Sequence, residues 1–506
     1  MKSKHSEVSL LDKALHLHRS EKFSDAINIY KTLLNKNQKD APVLFLYGTA
    51  EYQLGNRLEG IALIYQSLQI EPNNPDGYNN IGNALKDMNQ FEEAINCYDL
   101  AIGLRPNYAH ALNNKGVALK ELSRFEEAIS CYKDAIKYKS DYAEPHNNIA
   151  NIYTAQGKTE DALKLYNKAI STDPHYAPSY WNKALLKLLV GDYKEGWELY
   201  EWRWKYGAKN LARNFKEPLW LGDTPLKNKT IFIYSEQGLG DTIQFCRYIK
   251  NLSDLGAKVI FEVQKPLVKV LQNLEGVHLI TTQDAPIPKF DFHCPLLSLP
   301  LAFKTSVDTI PNKISYIEPD PAIVAYWANR LGEKNNLRVG LVWSGGFRPD
   351  QPELWEVNKR RNLPLEFLKQ LDVTNVDFFS LQKGEPAESE FNNIDMNTWG
   401  GPHIQNHVSE LHDFSDTAAL IENLDLVISV DTSTAHMAAA IGKEVWLLNR
   451  FDTCWRWFID RNDSPWYPTI RIFRQPTPGD WLSVINEVRD ALKEKTSTNQ
   501  TKHLSQ

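Results

Sequence analysis

The stretch PDGYNNIGNALKDMNQFEEAINCYDLAIGLRP, residues 75–106, returns 34 residues later as AHALNNKGVALKELSRFEEAISCYKDAIKYKS, residues 109–140. Working outward from it, three series of positions keep the same step of 34 over the first two hundred residues. The first series of small residues is Ala14, Gly48, Gly82, Gly116, Ala150 and Ala184, the second is Ala26, Gly60, Ala94, Ala128, Ala162 and Gly196, and the mostly aromatic series is Tyr30, Ile64, Tyr98, Tyr132, Tyr166 and Tyr200. A fixed period of this length indicates a stack of identical structural units.

The 34-residue period with this pattern is typical of tetratricopeptide repeats. Each unit is then two antiparallel helices that approach closely at the small residues. No unit buries its apolar face alone, so the units stack into a superhelix with a concave face. We predict six units, beginning near residues 7, 41, 75, 109, 143 and 177, in an α-solenoid that spans residues 7–208. Repeats of this kind are binding modules, so a protein partner is expected.

One polar position of the repeat suggests what is bound. Asn80, Asn114, Asn148 and Asn182 occupy the same place on the first helix of four successive units, and that helix lines the concave face. A carboxamide both donates and accepts hydrogen bonds, so the series can hold the main chain of an extended acceptor peptide. The alternative is that these are solvated polar positions. Peptide binding is preferred because Asn is a poor helix former and is nevertheless kept four times.

The composition of the 506 residues, 42% apolar and 24% charged, is that of a globular protein. With 57 basic and 63 acidic residues, the net charge of −6 argues against a dedicated nucleic-acid binder. No apolar run approaches the ~20 residues of a membrane span, and the N-terminus lacks a signal-peptide core. The five cysteines include no C-x-x-C pair, which predicts reduced thiols, no metal site and a cytoplasmic location.

Beyond residue 208 the pattern changes to alternating strands and helices. The strand-like runs are 230–234, 258–263, 277–281, 338–343, 376–381, 425–430 and 444–448. This alternation predicts α/β architecture with parallel sheets. A break near Asp320 divides it into two sheet domains facing each other across a cleft. The predicted domains are a connector at 209–229, a first half at 230–320, a second half with a final helix at 321–493, and a disordered tail at 494–506.

The loops that end the predicted strands are where ligands bind in such sheets. The first is YSEQGLGDTIQF, residues 234–245. Gly238 and Gly240 permit a close backbone approach, and Asp241 stands where a helix begins. On local sequence alone Asp241 reads slightly better as an N-cap than as a functional carboxylate. The glycine spacing departs from the dinucleotide fingerprint because residue 243 is Ile, which disfavours a nicotinamide enzyme.

A second loop follows the strand-like run at 425–430. Its candidate ligand-binding residues are Asp431, Thr432, Ser433, Thr434 and His436. Exposed N–H groups, hydroxyls and the positive end of the helix dipole form a phosphate cradle. In the alternative, Asp431 or Ser433 caps the helix and His436 packs beneath it; the two interpretations are compatible.

A third loop combines a glycine turn with cations. Ser344 and Gly345 form the turn, and Lys359 and Arg361 follow in what reads as a loop. Cations beside a phosphate site neutralise the charge that develops on a leaving diphosphate. A solvated basic loop is the alternative. Lys383, after the next strand, is a further candidate.

Taken together, several segments resemble bacterial tetratricopeptide-repeat glycosyltransferases, in matching order over roughly residues 7–490. The segments are EQGLGDTIQFCRY (236–248), VGLVWSGG (339–346), KRRNLPL (359–365), FFSLQKG (378–384), DTAALIENLDLVISVDTSTAHMAAAIGKEVWLLN (416–449) and WRWFIDRNDSPWYPTIRIFRQ (455–475). The second half is similar to heptosyltransferases of lipopolysaccharide synthesis, which implies a GT-B fold of two facing Rossmann-like domains. The overall plan, including the asparagine series, also looks like O-linked N-acetylglucosamine transferase.

The resemblance implies specific roles. Asp241 matches the general base, Asp431, Thr432, Thr434 and His436 match the diphosphate site, and Lys359 and Arg361 match the phosphate-binding cations. Ser433 stands where heptosyltransferases usually have glycine, so adenosine-diphosphate-heptose does not follow as the donor.

The expected reaction is an inverting, metal-independent transfer from a nucleotide-sugar co-substrate, with no further cofactor, to a hydroxyl of a protein held by the repeats. The alternatives are a repeat scaffold with a degenerate sugar-nucleotide domain and an enzyme acting on lipid or saccharide. The segment Trp455-Arg456-Trp457 is expected to line the cleft in an undecided role.

Overall fold

The computed structural model describes residues 2–207, 212–347, 355–395 and 398–503. Parts of two predicted segments, the start of the connector at 209–211 and the end of the tail at 504–506, lie outside the described residues. The chain divides into two compact units, Met1–Asn182 and Lys183–Gln506.

The first unit is built of helix pairs. Its helices are α1 Lys2–Arg19, α2 Phe23–Leu34, α3 Ala41–Leu54, α4 Arg57–Ile70, α5 Pro75–Asp87, α6 Phe91–Leu104, α7 Ala109–Glu121, α8 Phe125–Tyr138, α9 Ala143–Ala155, α10 Thr159–Thr172 and α11 Ala177–Leu189, the last of which continues into the second unit. From α3 onward every pair begins at the residue that the 34-residue period predicts. The first pair begins at Lys2, earlier than the predicted residue 7.

The regular step of 34 has a steric cause. A Cβ added to Gly82 on α5 would lie 2.6 Å from Cε1 of Tyr98 on α6, and Gly116 on α7 has the same relation to Tyr132 on α8. Both tyrosines are fully buried. A small residue on the first helix therefore lets an aromatic ring of the second helix close the pair.

The boundary between the two units lies inside the predicted repeat domain of 7–208. Helix α12, Tyr193–Tyr200, belongs to the second unit although it completes the sixth pair. Its Trp197 ring lies 5.3 Å from that of Trp455 and 6.2 Å from that of Phe245. The indole N–H of Trp466 donates to the Tyr193 hydroxyl at 2.9 Å. The last repeat helix is thus part of the aromatic core of the second unit.

The first sheet of the second unit has four parallel strands in the order β3-β2-β1-β4. They are β1 Thr230–Tyr234, β2 Lys258–Glu262, β3 Val277–Thr281 and β4 Phe292–Pro295. The accompanying helices are α13 Leu239–Phe245, α14 Tyr248–Asp254, α15 Val268–Leu271 and α16 Leu299–Ala302. Helix α13 begins shortly after β1 ends, which places its first turn at the carboxyl edge of the sheet.

The second sheet has six parallel strands in the order β10-β9-β8-β5-β6-β7. They are β5 Leu337–Val342, β6 Val376–Ser380, β7 Ile404–Asn406, β8 Leu426–Val430, β9 Glu444–Asn449 and β10 Ile470–Arg474. The helices are α17 Pro321–Leu331, α18 Trp355–Arg361, α19 Ala387–Asn392, α20 Phe414–Glu422, α21 Ser433–Ala440 and α22 Trp481–His503. Central strands β5 and β8 are buried along their whole length, as expected for a parallel sheet covered on both faces.

Two segments differ from their predicted structure. Lys359 and Arg361 lie on helix α18 and not in a loop. Residues 494–503, predicted to be disordered, continue α22 to His503. That helix is anchored by buried Val488 and Leu492, and Lys495 pairs with Glu444 on β9 at 2.6 Å. The chain from residue 481 onward contains no Gly or Pro that would end the helix.

Candidate functional site

A cavity of about 580 Å³ lies between the carboxyl ends of the two sheets. Its walls come mainly from the residues that follow β1, β2, β5, β6, β7, β8 and β9. The predicted site residues that line it are Gly238, Gly240, Asp241, Ser344, Gly345, Arg361, Lys383, Asp431, Thr432, Ser433, Thr434 and His436. Lys359 is exposed and is absent from the described lining of the cavity. These loops are far apart in the sequence, and the fold brings them to one place.

Asp241 is not the N-cap of α13, because Gly238 holds that position and Asp241 is the third residue of the helix. Its Oδ2 accepts the backbone N–H of Gly238 at 2.9 Å, a bond from the first turn back to the N-cap residue. Its Oδ1 faces the cavity side and accepts from Nη2 of Arg456. The bond to Gly238 therefore fixes the carboxylate in place without removing it from the cavity.

Arg456 is the cavity residue whose role the sequence left undecided. Its Nε donates to Oε1 of Gln244 at 2.6 Å, and its guanidinium stacks 4.3 Å from the centre of the Trp455 ring. Burial acts to lower the pKa of the guanidinium, but the Asp241 carboxylate outweighs it and the pKa is raised. Within the segment Trp455-Arg456-Trp457, only Arg456 is among the described residues that line the cavity. Both tryptophans are buried.

The start of helix α21 forms another wall. Thr432 is its N-cap, since its Oγ1 accepts the backbone N–H of Ala435 at 3.3 Å. The proposed caps Asp431 and Ser433 are therefore wrong. The correction leaves the carboxylate of Asp431 and the first turn of α21 at the cavity, where the positive end of the helix dipole favours an anion.

His436 connects α21 to its surroundings on three sides. Its Nδ1 is 2.8 Å from the Tyr467 hydroxyl, its Nε2 is 3.7 Å from Oδ1 of Asp431, and its ring stacks on Trp457. Burial lowers the pKa of His436 to about 4, so the imidazole is neutral at pH 7. A Cβ on Gly240 would lie 2.9 Å from Cδ2 of His436. Glycine at 240 is thus what lets α13 approach α21.

Asp431 keeps its charge in this surrounding. Burial alone would raise the pKa of its carboxyl, but the positive charges around it, which include the guanidinium groups of Arg361 and Arg456, outweigh burial and the pKa is lowered. The cavity therefore presents Asp431 as an acceptor, beside cations that suit an anionic ligand.

The glycine turn after β5 is held by a side chain that the sequence did not single out. Gln382, almost fully buried, accepts at Oε1 from the backbone N–H groups of Trp343 at 3.1 Å and Ser344 at 2.8 Å. Its Nε2 donates to the Ser344 carbonyl at 3.0 Å. The clue in the sequence was its place in the segment SLQKG at the end of a strand.

Arg361 lies directly against this turn. A Cβ on Gly345 would be 1.9 Å from Nη2 of Arg361, so the guanidinium occupies the space that a larger residue would need. Nη2 also donates to Oδ1 of Asn358 at 2.7 Å. The ammonium of Lys383 donates to the Leu411 carbonyl at the same cavity. Arg361 and Lys383 thus bring positive charge to the carboxyl edge of the second sheet.

The asparagine series lies in the first unit. Each of Asn114, Asn148 and Asn182 donates its Nδ2 to the Oδ1 of an asparagine in the preceding repeat, and the three partners are Asn79, Asn113 and Asn147 at 3.1, 3.0 and 3.1 Å. Asn80 donates instead to Thr49 Oγ1 at 3.3 Å. The four are half-buried. A carboxamide has two N–H groups and two oxygen lone pairs, so one such bond orients it and leaves capacity for a ligand.

Among the described residues, no group of three or more His, Cys, Asp or Glu is placed to hold a metal ion. Within the same residues, no helix combines the length and apolarity needed to cross a bilayer.

Three models of the tetratricopeptide repeat match the first half of the chain. One matches residues 75–108 and 143–176, one residues 118–157 and one residues 11–75. Protein FlbA of Caulobacter vibrioides is 27% identical over 343 residues, which are 62% of this chain and 54% of FlbA. The match thus spans about half of FlbA. The matched part of this chain is longer than its repeats, so the match extends into the half that carries the parallel sheets.

Solved structures similar to the chain are repeat proteins. MamA is 21% identical and is matched over 96% of its length and 32% of this chain, with a TM-score of 0.30. A thermophilic repeat protein of Thermus thermophilus is 20% identical, over 100% of its length and 36% of this chain, with a TM-score of 0.32. YrrB, described as having an unusual peptide-binding site, is 20% identical and is matched over 95% of its length and 36% of this chain, with a TM-score of 0.31. The repeat models show that the chain carries tetratricopeptide repeats, and a domain of parallel sheets follows them.

Proposed function

We propose that the protein is an inverting glycosyltransferase of GT-B type that transfers a sugar from a nucleotide-sugar to an acceptor hydroxyl. The observation that carries the proposal is the cavity between two parallel sheets. It gathers Asp241 from one sheet with the first turn of α21, Arg361 and Lys383 from the other. A carboxylate facing an anion-binding wall is the arrangement that displacement of a diphosphate requires.

The second sheet binds the donor in this proposal. The diphosphate lies at the start of α21, where backbone N–H groups and the helix dipole favour negative charge. Arg361 and Lys383 neutralise the charge that the leaving diphosphate gains, which is the part that a divalent cation plays in other transferases. Neutral His436 can donate a hydrogen bond to a phosphate oxygen. Lys359, which is exposed on α18, has no part in this site.

Asp241 acts as the general base. The acceptor oxygen bonds to the anomeric carbon while the bond from that carbon to the diphosphate breaks on the opposite side, which inverts the configuration. The acceptor proton passes to Asp241. Carboxylates are weak bases at neutral pH, so this proton moves late in the reaction. Each oxygen of Asp241 makes one hydrogen bond in the structure, and a carboxylate oxygen has a second lone pair to receive a proton.

We further propose that the acceptor is a polypeptide held by the repeats. Repeats of this kind bind peptide partners, and the oriented carboxamides of Asn114, Asn148 and Asn182 suit a main chain in extended form. A lipid or saccharide acceptor would make no use of that series.

A second candidate is a repeat scaffold that binds a nucleotide-sugar without turnover. The ion pair between Asp241 and Arg456 favours it, because a carboxylate held by a guanidinium is less available to an acceptor proton.

The test begins with donor binding. A panel of nucleoside diphosphates and their sugars is screened for a rise in melting temperature, since a ligand of the folded state stabilises it by mass action. With the selected donor, D241N is expected to keep the thermal shift and lose transfer by roughly 100-fold or more. D223N, which changes an exposed aspartate, is the matched control.

Three outcomes decide the matter. A panel without any shift contradicts nucleotide-sugar binding. Unchanged transfer by D241N removes the base assignment. Binding without transfer to any protein, peptide, lipid or saccharide acceptor favours the scaffold.

A further inference from the structure

The cavity contains an ion pair that joins its two walls. Asp241 belongs to the first turn of α13, and Arg456 follows β9 of the second sheet. Both side chains are mostly shielded from water, with 19% of the Asp241 side chain and 11% of the Arg456 side chain exposed. The proposed base is therefore paired with a cation that lines the proposed anion site.

We propose that Arg456 is a ligand of the donor diphosphate and that it leaves Asp241 when the diphosphate binds. This inference rests on the proposed function and adds a residue to its site. Donor binding then unmasks the base: before it, Asp241 is held by the guanidinium, and after it, Asp241 is available to the acceptor hydroxyl.

The hydrogen bonds of Arg456 allow this exchange. A guanidinium has five N–H groups. In the described part of the chain three donate: Nε to Gln244, Nη1 to the Cys454 sulfur at 3.2 Å and Nη2 to Asp241. The bond to Gln244 and the stacking on Trp455 hold the side chain near its Nε. The outer nitrogens can then turn from the carboxylate to a phosphate without moving the whole side chain.

The charges also favour the exchange. A diphosphate carries more negative charge than a carboxylate and offers paired oxygens that match a guanidinium fork. Arg456 gives up one charge-assisted hydrogen bond and gains one or two, so a buried cation is never left without an anion. The competing interpretation is a fixed clamp, in which Arg456 stays on Asp241 and only ties the two sheets together.

Binding of inorganic pyrophosphate to the full-length protein, measured by calorimetry at fixed low ionic strength, separates the two interpretations. R456Q is expected to weaken binding about 10- to 100-fold, the range for loss of a charge-assisted hydrogen bond. R456K, which keeps the charge but not the fork, should lie between R456Q and the wild type. R360Q removes the same charge from an exposed arginine on α18 that pairs with Asp452, and it should bind as the wild type does.

A double-mutant cycle tests the exchange itself. D241N removes the competitor for Arg456, so it should tighten pyrophosphate binding. Loss of the negative charge alone tightens binding in any background. The exchange therefore predicts that the gain is several-fold larger with Arg456 present than in D241N/R456Q. Melting temperatures of all variants check that each is folded.

The outcomes distinguish this inference from the function on which it rests. Equal pyrophosphate binding by R456Q, R360Q and the wild type overturns the role of Arg456 while the donor site stands. Equal gains from D241N in the two backgrounds identify a fixed clamp and overturn the exchange. A wild-type protein that binds neither pyrophosphate nor any nucleoside diphosphate overturns both.

Discussion

At the scale of the residue, Gly345 and Gly240 differ in what an added methyl group would contact. At Gly345 it would contact a flexible side chain, and at Gly240 a fixed ring. An alanine at 345 would meet the end of the Arg361 side chain, which can move away at little cost. G345A is therefore expected to keep a melting temperature near that of the wild type and to weaken nucleoside-diphosphate binding roughly 10-fold, because Arg361 is displaced. Calorimetry and thermal unfolding measure the two effects. Undisturbed binding would show that Arg361 does not contact the ligand.

G240A is expected to behave in the opposite way. Its methyl group would meet the His436 ring, which is fixed between the Tyr467 hydroxyl and the Trp457 ring. Overpacking of this kind costs about 1–3 kcal/mol of the free energy of unfolding. Chemical denaturation of G240A beside G345A measures the difference, and a G345A protein that is the less stable of the two would contradict it.

Two buried groups with opposite titration give a prediction about pH. Burial raises the pKa of Glu236 to about 7, and burial lowers the pKa of His436 to about 4. Between pH 4.5 and 7 the unfolded state releases the Glu236 proton while the folded state keeps it, so stability falls as pH rises. Between pH 4 and 6.5 the unfolded state holds a proton on His436 that the folded state lacks, so stability rises with pH.

In the wild type these two slopes oppose each other, and a neutral substitution separates them. E236Q matches the wild type near pH 4.5 and should exceed it by about 3 kcal/mol at pH 7, because it mimics the protonated carboxyl. Denaturation of both proteins over this range measures the difference, in which all other titrations cancel. A constant difference across the range would show that the Glu236 pKa is ordinary.

The residues whose roles could be predicted from the sequence and those whose roles could not differ in the range of their contacts along the chain. Asp241 and Asp431 could be found because each follows a strand-like run, and parallel strands end at one edge. Arg456 was expected at the cleft, but its contacts and those of Gln382 are with partners 215 and 38 residues away in the chain, which no local pattern encodes.

At the scale of the element, the asparagine pairs of the repeats make separable predictions. Asn113 on α7 is fully buried, donates to Glu144 and accepts from Asn148, each at 3.0 Å. N113A removes the donor to Glu144 Oε1 and the acceptor of Asn148 Nδ2, and it should cost about 1–3 kcal/mol. N114A changes the neighbouring half-buried residue and should cost less than half of that. Denaturation monitored by helix content compares them, and equal losses would mean that buried Asn113 stabilises the repeats no more than half-buried Asn114 does.

Whether a strand could be predicted from the sequence depended on its place in the sheet. All seven predicted runs are strands, and they include every central strand of both sheets. The missed strands β4, β7 and β10 each lie at an edge. Edge strands need no apolar residues on both faces: β7 has three residues, β4 includes a proline, and β10 has two arginines among its five residues. A search for continuous apolar runs passes over such segments.

At the scale of the whole molecule, the unit boundary predicts where the chain can be cut. A fragment of residues 183–506 keeps Tyr193, Trp197 and Arg203, whose guanidinium is buried against Glu236 at 3.1 Å. It should fold and bind nucleoside diphosphates as the full chain does. A fragment of residues 209–506, which follows the boundary predicted from sequence, exposes Trp466 and leaves Glu236 without its cation.

The shorter fragment is therefore expected to be poorly soluble or to melt well below the longer one, since it loses the aromatic contacts of Trp466 and leaves a buried carboxyl without its hydrogen-bond donor, which alone costs about 1–3 kcal/mol. Thermal unfolding and gel filtration of the two fragments measure this. Equal melting temperatures would show that the last repeat helix is dispensable to the sheets.

The aromatic attachment of α12 also constrains how the array can vary in length. Upstream of residue 183 each helix pair repeats its neighbour, so whole units can be duplicated or deleted in steps of 34 residues without touching Tyr193, Trp197 or Arg203. The sixth pair has no such freedom, because its second helix contributes side chains to another core. Related chains with longer or shorter arrays should therefore differ by insertions before this pair, and a recombinant array grafted onto the sheets must end with the native α12.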